Sequence, residues 1–176
     1  MSRPTLGGWP VLYDAQIQST STGANFEPGA IFLWRGGTQR QEAALVQYVQ
    51  MDNGTCSQGE ALVTNHATIA GYRVKAAATA DEGTMPRGIA AASLGSLVYG
   101  FMIIAGYCEK ADLSHTAASN EYLMVSGSTA GKLTPNRASV YNAGTHGSSS
   151  MFTTFAVARG AFATGVGSVQ ILGQLW

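Results

Sequence analysis

Two cysteines, three histidines and an abundance of serine and threonine are the residues of this 176-residue chain that could carry covalent or proton-transfer chemistry. A serine or cysteine nucleophile needs a base within hydrogen-bond reach and a third group to orient that base. The string Gly144-Thr145-His146-Gly147-Ser148-Ser149-Ser150 puts a histidine beside three serines. Its small polar residues read as a loop, and no Gly-x-Ser-x-Gly elbow leads from a strand into a helix. Cys108 is followed by Glu109, Lys110, Asp112 and His115. At a strand end, alternation sends neighbouring side chains to opposite faces, which separates these groups. Asp81-Glu82 is the one adjacent pair of carboxylates and reads as a solvated turn before Gly83.

Metal and phosphate chemistry fare no better. Cys56 and Cys108 lack CxxC partners, and His66, His115 and His146 do not supply ligands at local spacing, so no metal and no cofactor is assigned. Cytosolic synthesis makes both cysteines free, buried thiols rather than a disulfide. Gly127-Ser128-Thr129-Ala130-Gly131-Lys132 imitates a phosphate-binding loop, but its spacing is wrong by one residue and Leu133 stands where a Ser or Thr would hold magnesium. With a strand following it, this segment is expected to be a tight hairpin turn.

The elements that must position any site read as strands. Only 11% of residues are charged, ten basic and ten acidic, against roughly 25% in an average soluble domain. With 45% apolar residues and 22 glycines, this is neither a disordered polyelectrolyte nor a charge-driven nucleic-acid binder. The most apolar window, Leu97 to Ala105, is half of the roughly 20 residues a membrane helix needs, so no membrane partner is expected. MSRPTLGGWP lacks the apolar stretch of a secretory signal, which places synthesis in a cytoplasm.

Alternation is clearest in Glu42–Met51, with Leu45, Gln47, Val49 and Met51 on one face and Val46, Tyr48 and Gln50 on the other, as in a strand packed on both sides. The Asn53-Gly54 that follows is a strong hairpin signal. Further strands are expected at Ala30–Trp34, Ala61–Thr64, Gly71–Ala77, Gly88–Ala92, Leu97–Cys108, Glu121–Val125, Ser150–Ala158 and Ser168–Leu172. Short strands with turn signals every ten or so residues give an all-β fold, an antiparallel β-sandwich or β-barrel. Ala76–Glu82 and Ser114–Asn120 compete as short helices. Gly100–Gly106 and Gly167–Gly173 share terminal glycines around apolar residues at an offset of 67, either as an internal repeat or as ordinary vocabulary of a glycine-rich β protein. Residues 1–13, rich in Pro and Gly at their start, read as an extended amino-terminal arm on a single β domain spanning residues 14–176. A terminal Gln174-Leu175-Trp176 reads as core or subunit interface.

Tyr99-Gly100-Phe101-Met102-Ile103-Ile104-Ala105-Gly106-Tyr107, preceded by Arg87-Gly88-Ile89-Ala90 and followed by Tyr122 through Leu133, resembles small tailed-phage capsid decoration, or cement, proteins in the order and spacing of its parts. The match covers about residues 85–135, with a looser echo through Trp176. Ile103 and Ile104 depart from it where the family often has a polar residue, and Met1–Pro10 matches nothing in it. The resemblance implies a β-tulip-like body and a non-enzymatic virion component, assembled in the host cytoplasm. Such a component binds the outer surface of the capsid and cements neighbouring capsomers. Its implied partners are the major capsid protein and further copies of itself, as a homodimer or homotrimer. The arm and the aromatic residues Trp9, Tyr13, Trp34 and Trp176 are then the expected contacts. A charge-poor surface suits this role, because each charge placed in an interface must be desolvated or paired. The alternative is a phage fibre or tail-surface domain that binds host glycan, with exposed Trp and Tyr lining a groove.

Overall fold

A computed structural model describes residues 5–6, 9–36, 42–64, 72–81, 86–136 and 154–173. The chain is nearly all β, as expected. Among the described residues, twelve strands run in order: β1 (Thr5–Leu6), β2 (Trp9–Leu12), β3 (Ile31–Gly36), β4 (Glu42–Met51), β5 (Ala61–Thr64), β6 (Arg73–Ala76), β7 (Gly88–Ala90), β8 (Tyr99–Leu113), β9 (Tyr122–Val125), β10 (Leu133–Pro135), β11 (Ala156–Ala158) and β12 (Gly165–Ile171). One helical turn, α1 (Asp14–Ile17), lies between β2 and β3. No helix among the described residues is long and apolar enough to cross a membrane.

Hydrogen bonding closes the strands into two rings that share β8. The first ring runs β4, β6, β5, β7, β8 and back to β4; the second runs β8, β10, β9, β11, β12 and back to β8. Closure leaves neither ring with an open edge, the usual liability of short strands. The two rings are the same device built twice. In each, the first strand pairs in parallel with the third, through Met51↔Val74 and Leu113↔Leu133. In each it also pairs antiparallel with the fifth, through Val49↔Gly100 and Gly167↔Ala111. The links match as well, since the isolated bridges Cys56↔Leu94 and Ala117↔Phe162 occupy equivalent places. So do the turns that precede β5 and β9, where the Glu60 carboxylate accepts from the Ser57 amide at 2.9 Å and Glu121 accepts from the Ala118 amide at 2.8 Å.

The ring interiors fill with equivalent residues. Val49, Met51, Cys56, Leu62, Val74, Ala90, Leu94, Met102 and Ile104 form one cluster drawn from all five strands of the first ring. Their counterparts Ala111, Leu113, Ala117, Leu123, Leu133, Ala158, Val169 and Ile171, with Phe162 packed against them, fill the second. The offset of 67 between Gly100–Gly106 and Gly167–Gly173 is therefore an internal repeat of whole barrels. The glycines at its ends have structural causes. A Cβ at Gly100 would run into Leu94, and one at Gly167 would lie 2.7 Å from Cγ of Phe162, the residue equivalent to Leu94. Gly106 and Gly173 both adopt left-handed backbone, at φ +93 and +74.

Departures from expectation have local reasons. The Asn53-Gly54 turn forms, with Gly54 at φ +79, yet β4 and β5 do not pair. The Asp52 amide bonds to the Val74 carbonyl instead, so β4 aligns with β6 and the chain crosses to place β5 between β6 and β7. Strand β8 runs past Cys108 to Leu113 because Ala111 and Leu113 face inward and are fully buried, while the intervening polar residues face out. Of the two segments that compete as short helices, 76–82 holds a single 3-10 turn at Thr79–Asp81, and 114–120 bridges to Phe162 rather than coiling. The hairpin turn at residues 126–132 joins the antiparallel β9 and β10 as expected. Residues 9–12, expected within an unpacked arm, form β2 and pair in parallel with β3 through Val11↔Leu33 and Leu12↔Trp34. Leu12 and Ile17 bury against the first barrel, and that burial holds the segment down.

Leu97 tests the repeat energetically. It is a non-glycine residue at φ +60, is 54% exposed, and sits where the second barrel has Gly165, itself at positive φ. Relief of the left-handed strain makes Leu97→Gly stabilising by about 1 kcal/mol, read as a higher urea midpoint.

Candidate functional site

Among the described residues, the groups that could carry chemistry lie apart or are buried. Cys56 and Cys108 are free and buried, as expected. Burial pushes the Cys108 thiol from 9.0 up to about 12, and the thiol donates to the Lys110 carbonyl at 3.4 Å. Burial likewise pushes Cys56 from 9.0 up to about 11. Both are protonated thiols at neutral pH, whereas the thiolate is the nucleophile. The sign of the pH dependence follows. The unfolded chain loses these protons near pH 9.0 and the folded chain only near 11 to 12, so stability falls as pH rises through that window. Unfolding midpoints measured across it should decline less steeply in a Cys56→Ala/Cys108→Ala variant, and native protein should resist alkylation until urea opens it.

His115 is exposed, and its Nδ1 lies 2.9 Å from the Ser114 hydroxyl and 3.1 Å from that of Thr134. Ser114 continues to Ser126 at 3.0 Å, and Ser126 to Ser128 at 3.1 Å. This chain of hydroxyls contains no carboxylate to orient the imidazole, so it knits β10 to its flanking turns rather than forming a triad. The equivalent of Ser114 in the first barrel is Asp52, which is buried and bridged to Arg73 at 3.1 Å. Asp81 accepts from the Ala78 amide and pairs with Lys75 at 3.6 Å, closing a turn. His66, Glu82 and the 144–150 string lie outside the described residues. Among the described residues no three His, Cys, Asp or Glu groups gather as metal ligands.

Of the predicted contact residues, Trp34 and Tyr13 have described side chains, and they differ in exposure. Trp34 is 4% exposed and packs in the core with Phe32, two residues earlier on β3, so strand alternation turns it inward and removes it as a surface contact. Its indole N–H donates to Asp14 Oδ1 at 2.8 Å, pinning α1 to β3. Tyr13, 55% exposed, precedes α1, and its amide donates to the Gln16 side chain at 3.0 Å. Trp9 opens β2, its side chain lies outside the description, and Trp176 lies beyond the described residues.

Sequence reasoning missed one concavity. A cleft of about 250 Å³ runs between α1 and β8, with Asp14, Gln18, Gln58, Glu109 and Lys110 around an apolar floor that includes Ile17 and Ile103. Neither the four-residue helix nor the fold-back of β2 has a periodicity that would have revealed it. Trp34 lines this cleft but is 4% exposed. The open aromatic platform that the glycan alternative needs is not formed there.

No protein-family model matches the sequence, and no curated protein matches it. The fold does have a solved likeness, the crystal structure of the head fiber gp8.5 N base of bacteriophage phi29. That likeness has a TM-score of 0.50 at 14% identity, covering 74% of this chain and 98% of that chain, and it extends to the fold.

Proposed function

We propose that this chain is a non-enzymatic structural component of a bacteriophage virion, carried on the outside of the capsid. The observation that carries the reading is the likeness to a phage head-fibre base across 98% of that chain. It agrees with the independent resemblance of residues 85–135 to capsid decoration proteins. The chemistry agrees too: the thiols are buried and protonated, the one described histidine meets only hydroxyls, and the surface carries little charge. Such a surface costs little to desolvate against protein. In this reading the partners are the major capsid protein and further copies of this chain. The neighbour's name favours a fibre base seated on the shell over a flat cement layer.

Capsids of the encoding phage, prepared without this protein, test the proposal. Purified chain added to them should co-sediment with the shells through a sucrose gradient. Its complete recovery at the top of the gradient, with intact capsids below, would overturn the reading.

A further inference from the structure

We infer that Asn53 is a site of spontaneous covalent modification, at which the Gly54 nitrogen attacks the Asn53 carboxamide and leaves an acidic residue on the exposed end of the first barrel. Asparagine is among the thermolabile residues, and of the six in the chain Asn53 is the one followed by glycine. The reaction balances with water alone. The Gly54 nitrogen bonds to Cγ of Asn53, the Cγ–Nδ2 bond breaks, and ammonia leaves with the proton that the nitrogen gives up. Water then opens the resulting cyclic imide at either carbonyl. One opening gives aspartate. The other gives isoaspartate, whose main chain runs through Cβ and is longer by one methylene.

The fold leaves this attack unhindered. Asn53 and Gly54 are both exposed. A Cβ built on Gly54 would meet nothing within 4 Å, so no segment from elsewhere in the chain crowds the attacking residue. Among the described residues, no hydrogen bond holds the Gly54 amide or the Asn53 carboxamide, and the two groups can turn toward each other. The other described asparagines are placed differently. Asn25 precedes Phe26, which packs against the core. The amide after Asn120 is held, because Glu121 donates to the Ala118 carbonyl at 3.2 Å. Asn136 donates its side-chain amide to Thr154 at 3.4 Å and precedes the bulky Arg137.

The repeat shows that the barrel tolerates the product. The first barrel connects Asp52 to Cys56 through Asn53-Gly54-Thr55, and the second makes the equivalent connection from Ser114 to Ala117 through His115-Thr116. A turn that accommodates a whole residue more or less accommodates one methylene. The new carboxylate follows Asp52, which is buried and bridged to Arg73 at 3.1 Å. It also turns a chain of zero net charge into an acidic one.

The test uses purified full-length chain held folded for weeks in mildly alkaline buffer. An acidic species should accumulate on anion exchange, with Asn53→Asp as its marker, and peptide mass spectrometry should place the amide-to-acid conversion at Asn53. The native rate should lie within about tenfold of the rate in urea-unfolded chain, and Asn53→Gln, which must close a larger ring, should slow accumulation by about tenfold or more. Conversion at the other asparagines with Asn53 intact would overturn the inference. So would an Asn53→Gln protein that accumulates the acidic species at the wild-type rate. A native Asn53 that survives while the unfolded chain converts would also overturn it, since the fold would then protect the site.

Discussion

Replacing Gly106 with alanine lowers folding stability by about 4 kcal/mol, combining backbone strain of 1–3 kcal/mol with an overpacking cost of similar size. Gly106 is the hinge of the molecule. It pairs with Ala44 of β4 in the first barrel and with Ile171 of β12 in the second, so β8 passes from one ring to the other at this residue. Its backbone sits at φ +93, and a Cβ would lie 2.5 Å from the Ala43 carbonyl oxygen and 2.8 Å from Ala44 Cα. Both obstacles are main chain, so no rotamer change relieves them. Gly173 is its repeat equivalent, but a Cβ there meets the Ala105 side chain at 2.8 Å and no backbone atom closer than 3.7 Å. Gly173→Ala should therefore cost clearly less. Urea unfolding reads the difference as a shift in midpoint at constant slope. A Gly106→Ala protein within about 0.5 kcal/mol of wild type, the range of an ordinary surface change, would refute the hinge.

Phe101→Ala has the second large effect, about 3–5 kcal/mol, the usual cost of emptying a buried phenyl site. Phe101 is fully buried, and its ring centroid lies 5.5 Å from Phe26, 5.8 Å from Phe32 and 5.0 Å from Tyr48. Two of those partners belong to the segment that covers the first barrel. The truncation should therefore loosen residues 10–36 selectively, read as faster amide exchange there than in β9–β12. The repeat supplies the control, because the equivalent outward residue is the half-buried Ser168, where alanine should cost within about 0.5 kcal/mol.

That pair also shows what was legible in the sequence. Strand positions were, wherever alternation was strong: in β4, Val49 and Met51 face one cluster and Val46 and Tyr48 the other, as their spacing implies. The repeat was half-legible. Its glycines stood out because a side chain has no room at Gly100 or Gly167. The rest was hidden because the outward faces diverged, Phe101 against Ser168 and Ile103 against Gln170. The inward matches, such as Leu62 with Leu123, are apolar residues that any core could use. Pairing order was not legible. Asn53-Gly54 specifies a turn locally, but which strand β4 joins is decided by closure of a five-stranded ring, a non-local property. Trp34 was misjudged for a similar reason: its burial depends on α1 and β2 folding back over β3, and a four-residue helix and a four-residue strand carry almost no periodic signal.

The most direct test of the proposed virion role is a cryo-electron microscopy reconstruction of the particles produced from the genome that carries this sequence. The account predicts density outside the capsid shell that accepts two stacked five-stranded barrels sharing one long strand. Virions whose outer surface has no such density, with the chain recovered only from the soluble fraction of the lysate, would contradict it.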